Sequence, residues 1–253
     1  MSQRVLITAG ASGIGLGLAK RFAERGDRVA VCDADIDAVK RVAVEIPGII
    51  AMTADVTDEA QMDAFLSHVE SEWGGVDVVC ANAGTGGPAG RIEDLEYGAW
   101  KDCVGVNVFG AFLTCRWAAK VMRAQGAGLI ILTSSTAGLF GYPLRSPYAA
   151  AKWAIVGLTK TLAMELGPVG VRVNCICPGA VEGDRMERVL ANECAATGTP
   201  VEELRANYVA STSLKSWVTH DDLADMALFL SSPAASKISG QILSVDGHTE
   251  SIN

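Results

Sequence analysis

Apolar residues in this chain follow two alternating patterns: short continuous runs, and longer stretches where they recur every three or four positions. The continuous runs predict strands near residues 4–8, 28–33, 49–54, 76–81, 128–134, 171–177 and 241–245. Runs that are apolar at nearly every position fit a parallel sheet covered by helices on both faces, not a sheet with one wet face. The periodic stretches predict those helices near 14–25, 36–45, 59–73, 96–106, 108–124, 148–166 and 220–231, with shorter ones in 184–210. The stretch 220–231 shows the logic. Thr219 caps it with Asp222 three residues on, and Leu223, Met226, Ala227 and Leu230 form a stripe to bury before Pro233. Strand and helix alternating with right-handed crossovers predict an α/β fold, a doubly wound parallel seven-stranded sheet with helices on both faces. No repeat, low-complexity segment or interdomain linker interrupts the pattern, so residues 1–253 read as one domain.

Two junctions in this pattern carry chemistry. The first strand, Arg4-Val5-Leu6-Ile7-Thr8, runs into Ala9-Gly10-Ala11-Ser12-Gly13-Ile14-Gly15 and then into a helix. A strand, a glycine-rich turn and a helix N-terminus make a phosphate cradle, because bare backbone N–H groups and the helix dipole point at the anion. The second apolar run ends on Asp33, eighteen residues after Gly15, where a carboxylate can accept hydrogen bonds from a ribose diol.

The second junction is Ser146-Pro147-Tyr148-Ala149-Ala150-Ala151-Lys152. Ser146 reads as an N-cap and Pro147 as the first helical residue. Tyr148 and Lys152 then share one helix face, one turn apart. A phenol titrates near ~10, too high for acid–base work at neutral pH, and an ammonium one turn away lowers it. Taken alone the pair is an ordinary surface Tyr and Lys; with the glycine turn upstream it is a proton-transfer device.

Together these residues resemble the short-chain dehydrogenase/reductase family, in its branch of single Rossmann-fold domains, over essentially the whole chain. Thr8 to Gly15 matches the family's glycine motif. The resemblance implies cofactor contacts from Gly10, Ser12, Gly13, Ile14 and Gly15, from Asp33, and from Asp55-Val56 at the adenine ring. It implies that Asn82-Ala83-Gly84 stabilises the central sheet beside the cofactor and that Asn107 kinks a helix and holds a water for proton exchange. Ser135, thirteen residues before Tyr148, would bind the substrate oxygen, with Ser134 as its rival. Tyr148 would be the general acid/base, and Lys152 would also bond the nicotinamide ribose. Pro178-Gly179 follows the sixth strand, and Val245-Asp246-Gly247 ends the last. The implied activity is NAD(P)-dependent hydride transfer between a secondary alcohol (polyol, sugar, hydroxy acid or similar) and its ketone.

Two positions depart from the family pattern. Ala9 stands where glycine is usual, which costs about 1 kcal/mol if φ there is positive. Gly183 stands where a threonine often holds the nicotinamide carboxamide, which leaves that contact to backbone, at Val181.

Charge separates the two cofactors. Asp33, with Asp35 beside it, would repel the 2′-phosphate of NADP, and Ser12 lies where NADP users carry Lys or Arg. Lys40 and Arg41 sit further along the next helix, so the expectation is NAD, not NADP. The net charge of −8, with no basic run, excludes a nucleic-acid surface. Seven cysteines lie mostly within apolar elements, as buried reduced thiols do, and no Cys/His cluster marks a metal site. Cys175 and Cys177 are expected on one face of a strand. A cytoplasmic enzyme without leader or membrane span is expected. The resemblance and two apolar-rich helices, 108–124 and 148–166, predict a homotetramer, with Trp153 at an interface or in the core.

The substrate is the open question. Leu139, Phe140, Tyr142, Leu144 and Arg145 lie between Ser135 and Tyr148, and Arg145 or Arg185 offers a fork for an acidic substrate. The polar segment 182–210, with Gly183 as a hinge, is expected to be a lid over cofactor and substrate. Two other readings share these features. A cofactor-binding sensor or scaffold would keep the fold without turnover. A sugar-nucleotide epimerase would be expected to need a longer C-terminal substrate region.

Overall fold

The seven apolar runs all form strands, and all of them pair in parallel. The structure, a computed structural model, describes residues 2–249. The strands are β1 (Arg4–Thr8), β2 (Arg28–Asp33), β3 (Ile50–Thr53), β4 (Val78–Ala81), β5 (Gly128–Thr133), β6 (Val171–Pro178) and β7 (Ile242–Val245). Their spatial order is β3-β2-β1-β4-β5-β6-β7. The helices are α1 (Gly13–Glu24), α2 (Ile36–Glu45), α3 (Glu59–Trp73), α4 (Tyr97–Val104), α5 (Gly110–Gln125), α6 (Ser146–Leu166), α7 (Asp184–Thr197), α8 (Val201–Ala210) and α9 (His220–Ser231).

The two-residue period of a strand divides each apolar run between two cores. Val5, Ile7, Val29, Val31, Val78 and Cys80 face one side with Phe22 of α1, Val39 of α2 and Leu223 of α9. Leu6, Ala30, Val79, Ile130 and Leu132 face the other with Phe65 of α3, Met122 of α5 and Ile155 of α6. Each such side chain fully withdrawn from water contributes roughly 1.5–3 kcal/mol, which is why runs apolar at every position specify this arrangement. Cys175 and Cys177 share the second core with Sγ atoms 4.0 Å apart, as the strand alternation predicts. Burial pushes the thiols of Cys32, Cys80 and Cys115 up to about 12.

The strand order reverses between β1 and β4, which opens a crevice at their carboxyl ends. Three local details matter there. At α9 the capping box forms as expected: the Thr219 hydroxyl accepts from the Asp222 amide, and the Asp222 carboxylate accepts from the Thr219 amide. Asn107 does not break a helix. It lies in a π turn, Gly105–Phe109, that joins α4 to α5 without interruption.

Ser146 is not the N-cap of α6 but its first helical residue. Arg145 takes the cap position, because its carbonyl accepts the Ala149 amide at 2.9 Å and so starts the ladder one residue early. The buried Ser146 hydroxyl has no hydrogen-bond partner among the described residues. Among the described residues no helix is long and apolar enough to cross a membrane.

Candidate active site

The glycine turn after β1 is shaped for an anion. Ala9 has φ +49°, so the departure from glycine places an L-residue in the left-handed region. A Cβ on Gly10 would fall 2.5 Å from Val31 Cγ1, and one on Gly15 would collide with the Ala9 carbonyl oxygen, so both positions require glycine. Gly13 differs: its φ is +50° and nothing lies within 4 Å of an added Cβ. That side of the turn is open, and α1 begins there with no acidic residue in its first turn. The Ser12 hydroxyl makes no capping bond to the helix. A bare helix N-terminus beside an open glycine fits a diphosphate.

The neighbouring polar groups anchor this turn to the sheet. The Thr8 hydroxyl, buried at the end of β1, accepts both the Asn82 and Ala83 amides at 3.1 Å. Asn82 Nδ2 donates to the carbonyls of Thr8 and Ala9, and its Oδ1 accepts from the Thr133 hydroxyl. Asn82 thus fastens β1, β4 and β5 together, the structural job expected of it. The Asp33 carboxylate accepts from the amides of Ala11 and Asp35, each at 3.2 Å, and so closes the turn from the end of β2. A carboxylate has about four lone-pair sites, so acceptor capacity remains for a diol.

The other expected contacts divide between surface and core. Asp55 is exposed, and its Oδ1 accepts from both the amide and hydroxyl of Thr57 at 2.8 Å. Val56 is buried against Gly110, where an added Cβ would lie 2.7 Å from it. Gly179, just after β6, packs on Asp246, with 2.7 Å from an added Cβ to Asp246 Cβ. Val181 pairs with Val218 through the Ala180 carbonyl and the Glu182 amide. By strand alternation Val181's own amide faces the other way.

Around the start of α6 the structure gathers Ser135, Tyr148, Lys152 and Asn107. Tyr148 is half-buried, and Lys152, 2% exposed, holds Nζ 5.6 Å from the centre of the Tyr148 ring. Burial alone would push the Tyr148 phenol up. The Lys152 ammonium, then the Arg185 guanidinium, a Ser135 hydrogen bond and Arg145 outweigh it and hold the phenol below its usual range. Burial lowers the Lys152 ammonium, against the pull of Tyr148. Its Nζ donates to the Thr133 carbonyl at 3.0 Å, which fixes the charge below the ring.

Asn107 Nδ2 donates to the carbonyls of Thr85 and Cys103, and its Oδ1 has no partner among the described residues. An added Cβ on Gly84 would lie 2.7 Å from that Oδ1 and 3.2 Å from Lys152 Nζ. Gly84 therefore leaves room for a shared contact between the two.

Sequence reasoning missed one cluster. Glu193 of α7 accepts from the hydroxyls of Tyr142 (2.8 Å) and Tyr208 (2.7 Å), and lies 3.6 Å from Arg145. Arg145 is 2% exposed, with its guanidinium 5.6 Å from the Tyr148 ring centre, and Arg185 approaches the same ring at 5.9 Å. Glu193 carries no motif, and only the packing of α7 over the 140–146 loop relates it to Arg145. A surface depression at the opposite end of the sheet, around Ser2, Arg25 and Arg172, includes none of these groups.

Comparison with known proteins agrees with this geometry. A family described as enoyl-(acyl carrier protein) reductase matches residues 8–248. D-beta-hydroxybutyrate dehydrogenase of Cupriavidus necator is 35% identical over 96% of this chain and 95% of its own length. NAD+-bound xylitol dehydrogenase superposes with a TM-score of 0.92 at 27% identity, over 97% of this chain and 98% of that one. An actinorhodin polyketide ketoreductase variant with NADPH superposes with a TM-score of 0.93 at 31% identity, over 97% and 96%. Strand order, glycine turn and whole-length likeness lead to one conclusion: the chain belongs to the short-chain dehydrogenase/reductase family and is an NAD(P)-dependent oxidoreductase that interconverts a secondary alcohol and its ketone.

Proposed function

We propose that Tyr148 is the general acid/base of this reaction and that NAD is the cofactor. The observation that carries this reading is the setting of Tyr148, with Lys152 Nζ 5.6 Å and the Arg185 guanidinium 5.9 Å from its ring centre, charges that hold the phenol below its usual range. The nicotinamide, when bound, supplies or accepts the hydride. Tyr148 as phenolate takes the hydroxyl proton in oxidation, and as phenol returns it in reduction. The Ser135 hydroxyl orients the substrate oxygen and stabilises the charge developing on it. Lys152 keeps the phenolate favourable and would also bond the cofactor ribose. Asn107 Oδ1 and Lys152 Nζ, facing the space above Gly84, would hold the water that returns protons from solvent.

The open turn at Ser12, Gly13 and Ile14 would hold the diphosphate, with Gly10 and Gly15 allowing its approach. Asp33 would take the adenosine ribose. Asp55 and the Val56 backbone would border the adenine, Ala83 and Gly84 the middle of the cofactor, and Pro178, Gly179 and Val181 the carboxamide side. NAD over NADP rests on charge: Asp33 and Asp35 crowd the place of a 2′-phosphate, and Lys40 is drawn 3.2 Å from Asp37 instead. Residues 182–210 are read as a lid on a single domain spanning the chain. Exposed Phe109, Phe112, Trp153 and Met164 on and beside α5 and α6 support a homotetramer packed through those helices. Sedimentation as a monomer at micromolar concentration would remove that part. A cytoplasmic location is supported by seven unpaired thiols.

The test is absorbance at 340 nm with NAD and a panel of secondary alcohols, polyols and hydroxy acids, with Tyr148→Phe alongside. Turnover is expected in the wild type. The variant should lose nearly all of it while binding NAD within a few-fold. Activity retained above a few per cent would reject Tyr148 as the acid/base, and tight NAD binding without turnover would favour a sensor.

A further inference from the structure

We propose that Arg145, with Arg185 opposite it, forms an anion subsite beside Tyr148, so that the substrate is a small hydroxy acid and not a neutral polyol. This rests on the dehydrogenase reading above and names its substrate class.

Arg145 is the N-cap residue of α6, two positions before Pro147, and its side chain is 3% exposed. Its Nη2 donates to the Gly86 carbonyl at 2.8 Å, in the loop that follows β4 at the carboxyl edge of the sheet. Its Nε and Nη1 have no hydrogen-bond acceptor among the described residues. A buried guanidinium normally satisfies its N–H groups, and an unmet donor at a ligand-binding edge points to an acceptor supplied by the ligand.

Glu193 does not fill that role. At 3.6 Å from Nη1 it makes no hydrogen bond to Arg145, and its Oε1 already accepts from two phenols. It compensates part of the charge and leaves the donors open. The Arg145 guanidinium rests 5.4 Å from the Tyr142 ring centre and 5.6 Å from that of Tyr148, which fixes its plane beside the reacting phenol. Gly86 is needed for this: an added Cβ there would lie 2.7 Å from Nη2. Arg185, at the start of α7, reaches the Tyr148 ring from an exposed position and has no ion pair among the described residues. Arg145 and Arg185 join Lys152 as three cations around one phenol ring, and with one carboxylate near only Arg145 they leave a net positive patch where the substrate must lie. A substrate with its carboxylate a few bonds from the carbinol carbon would engage the patch while presenting its hydroxyl to Tyr148 and Ser135.

The experiment has two readouts on wild type, Arg145→Met, Arg145→Lys and Arg185→Met. The first is kcat/KM with NAD for 3-hydroxybutyrate against 1,3-butanediol, which differ in the anion. Wild type should favour the acid, and Arg145→Met should lower the acid-to-diol ratio about 30-fold or more, the loss expected for a charge-assisted contact. Arg145→Lys should restore part of the ratio and Arg185→Met should lower it less. The second is thermal stabilisation by butyrate with NAD present, which needs no turnover. It is expected in wild type and lost in Arg145→Met.

An unchanged ratio, or no stabilisation of wild type by butyrate even with diols oxidised, overturns the anion subsite and leaves the dehydrogenase reading intact. Stabilisation by butyrate that Arg145→Met abolishes, without turnover of any alcohol, upholds the subsite and removes the dehydrogenase reading instead. The Lys variant separates charge from folding, since it keeps the cation at a site that a misfolded protein would lose.

Discussion

The Ser134 hydroxyl donates to the main-chain oxygen of Lys152 at 2.8 Å, from a position 2% exposed. That bond ties the end of β5 to the first turns of α6 and takes Ser134 out of contention for the substrate. Its neighbour Ser135 turns its hydroxyl toward the Ala137 amide and Tyr148. Ser135→Ala should therefore lower kcat by about 10²-fold or more, as for loss of one donor to a developing oxyanion. Ser134→Ala should instead cost about 1 kcal/mol of stability, with a smaller effect on kcat. Steady-state kinetics and denaturant melts on both variants check this, and the reverse ranking would move the role to Ser134.

The Tyr148 phenol is held below its usual range, and under the proposed acid/base role its base form would act in oxidation. Oxidation should therefore rise as pH climbs through a midpoint below about 10, and reduction should fall through the same midpoint. Lys152 is the foremost charge that lowers it, so Lys152→Met should move the midpoint of the residual oxidation to higher pH. The midpoint, not the rate, is what to read, because the variant would also lose the proposed cofactor contact. A midpoint that stays put would mean the profile reports another group.

Asp33 closes the glycine turn, and under the proposed NAD preference it would, with Asp35, repel a 2′-phosphate. Asp33→Ala should weaken NAD binding and narrow the preference of NAD over NADP by about tenfold, as removal of one repulsive charge and one acceptor implies. The ratio of kcat/KM values for the two cofactors measures it, and an unchanged ratio would make the carboxylate a loop anchor only.

Helices α7 and α8 bury little, with only Met186 and Leu190 well covered. Their link to the 140–146 loop is Glu193 between Tyr142 and Tyr208, whose hydroxyls lie 2.6 Å apart. Such a segment opens at low cost. Amides from 183 to 208 should exchange fast in the free protein and slow with NAD bound. Glu193→Ala should raise exchange there before cofactor is added. Equal protection with and without NAD would make the segment a permanent wall and not a lid.

The parts legible in the sequence are those whose cause is local. A strand apolar on both faces, a glycine turn entering a helix, and Tyr148 one turn before Lys152 are all set within a few residues by backbone geometry. Among the described residues the seven strands and the helices between them followed in the expected order, with the shorter helices of 184–210 forming as α7 and α8, and Tyr148 and Lys152 lie one turn apart on α6. Boundaries shifted by one or two residues where a neighbour supplied the first hydrogen bond, as Arg145 does for Ser146 at α6.

Other features were decided by tertiary packing. Ser134 and Ser135 are chemically alike, and only α6 lying against β5 assigns one to the Lys152 carbonyl. The π turn at Asn107 exists because its side chain reaches back to Thr85 and Cys103. Arg145 read as one of two free forks in the sequence. Its burial beside Gly86, its two open donors and its partial neutralisation by Glu193 depend on loops and a helix far apart in the chain. No spacing rule encodes such contacts, because they form only when the sheet brings those segments to one edge.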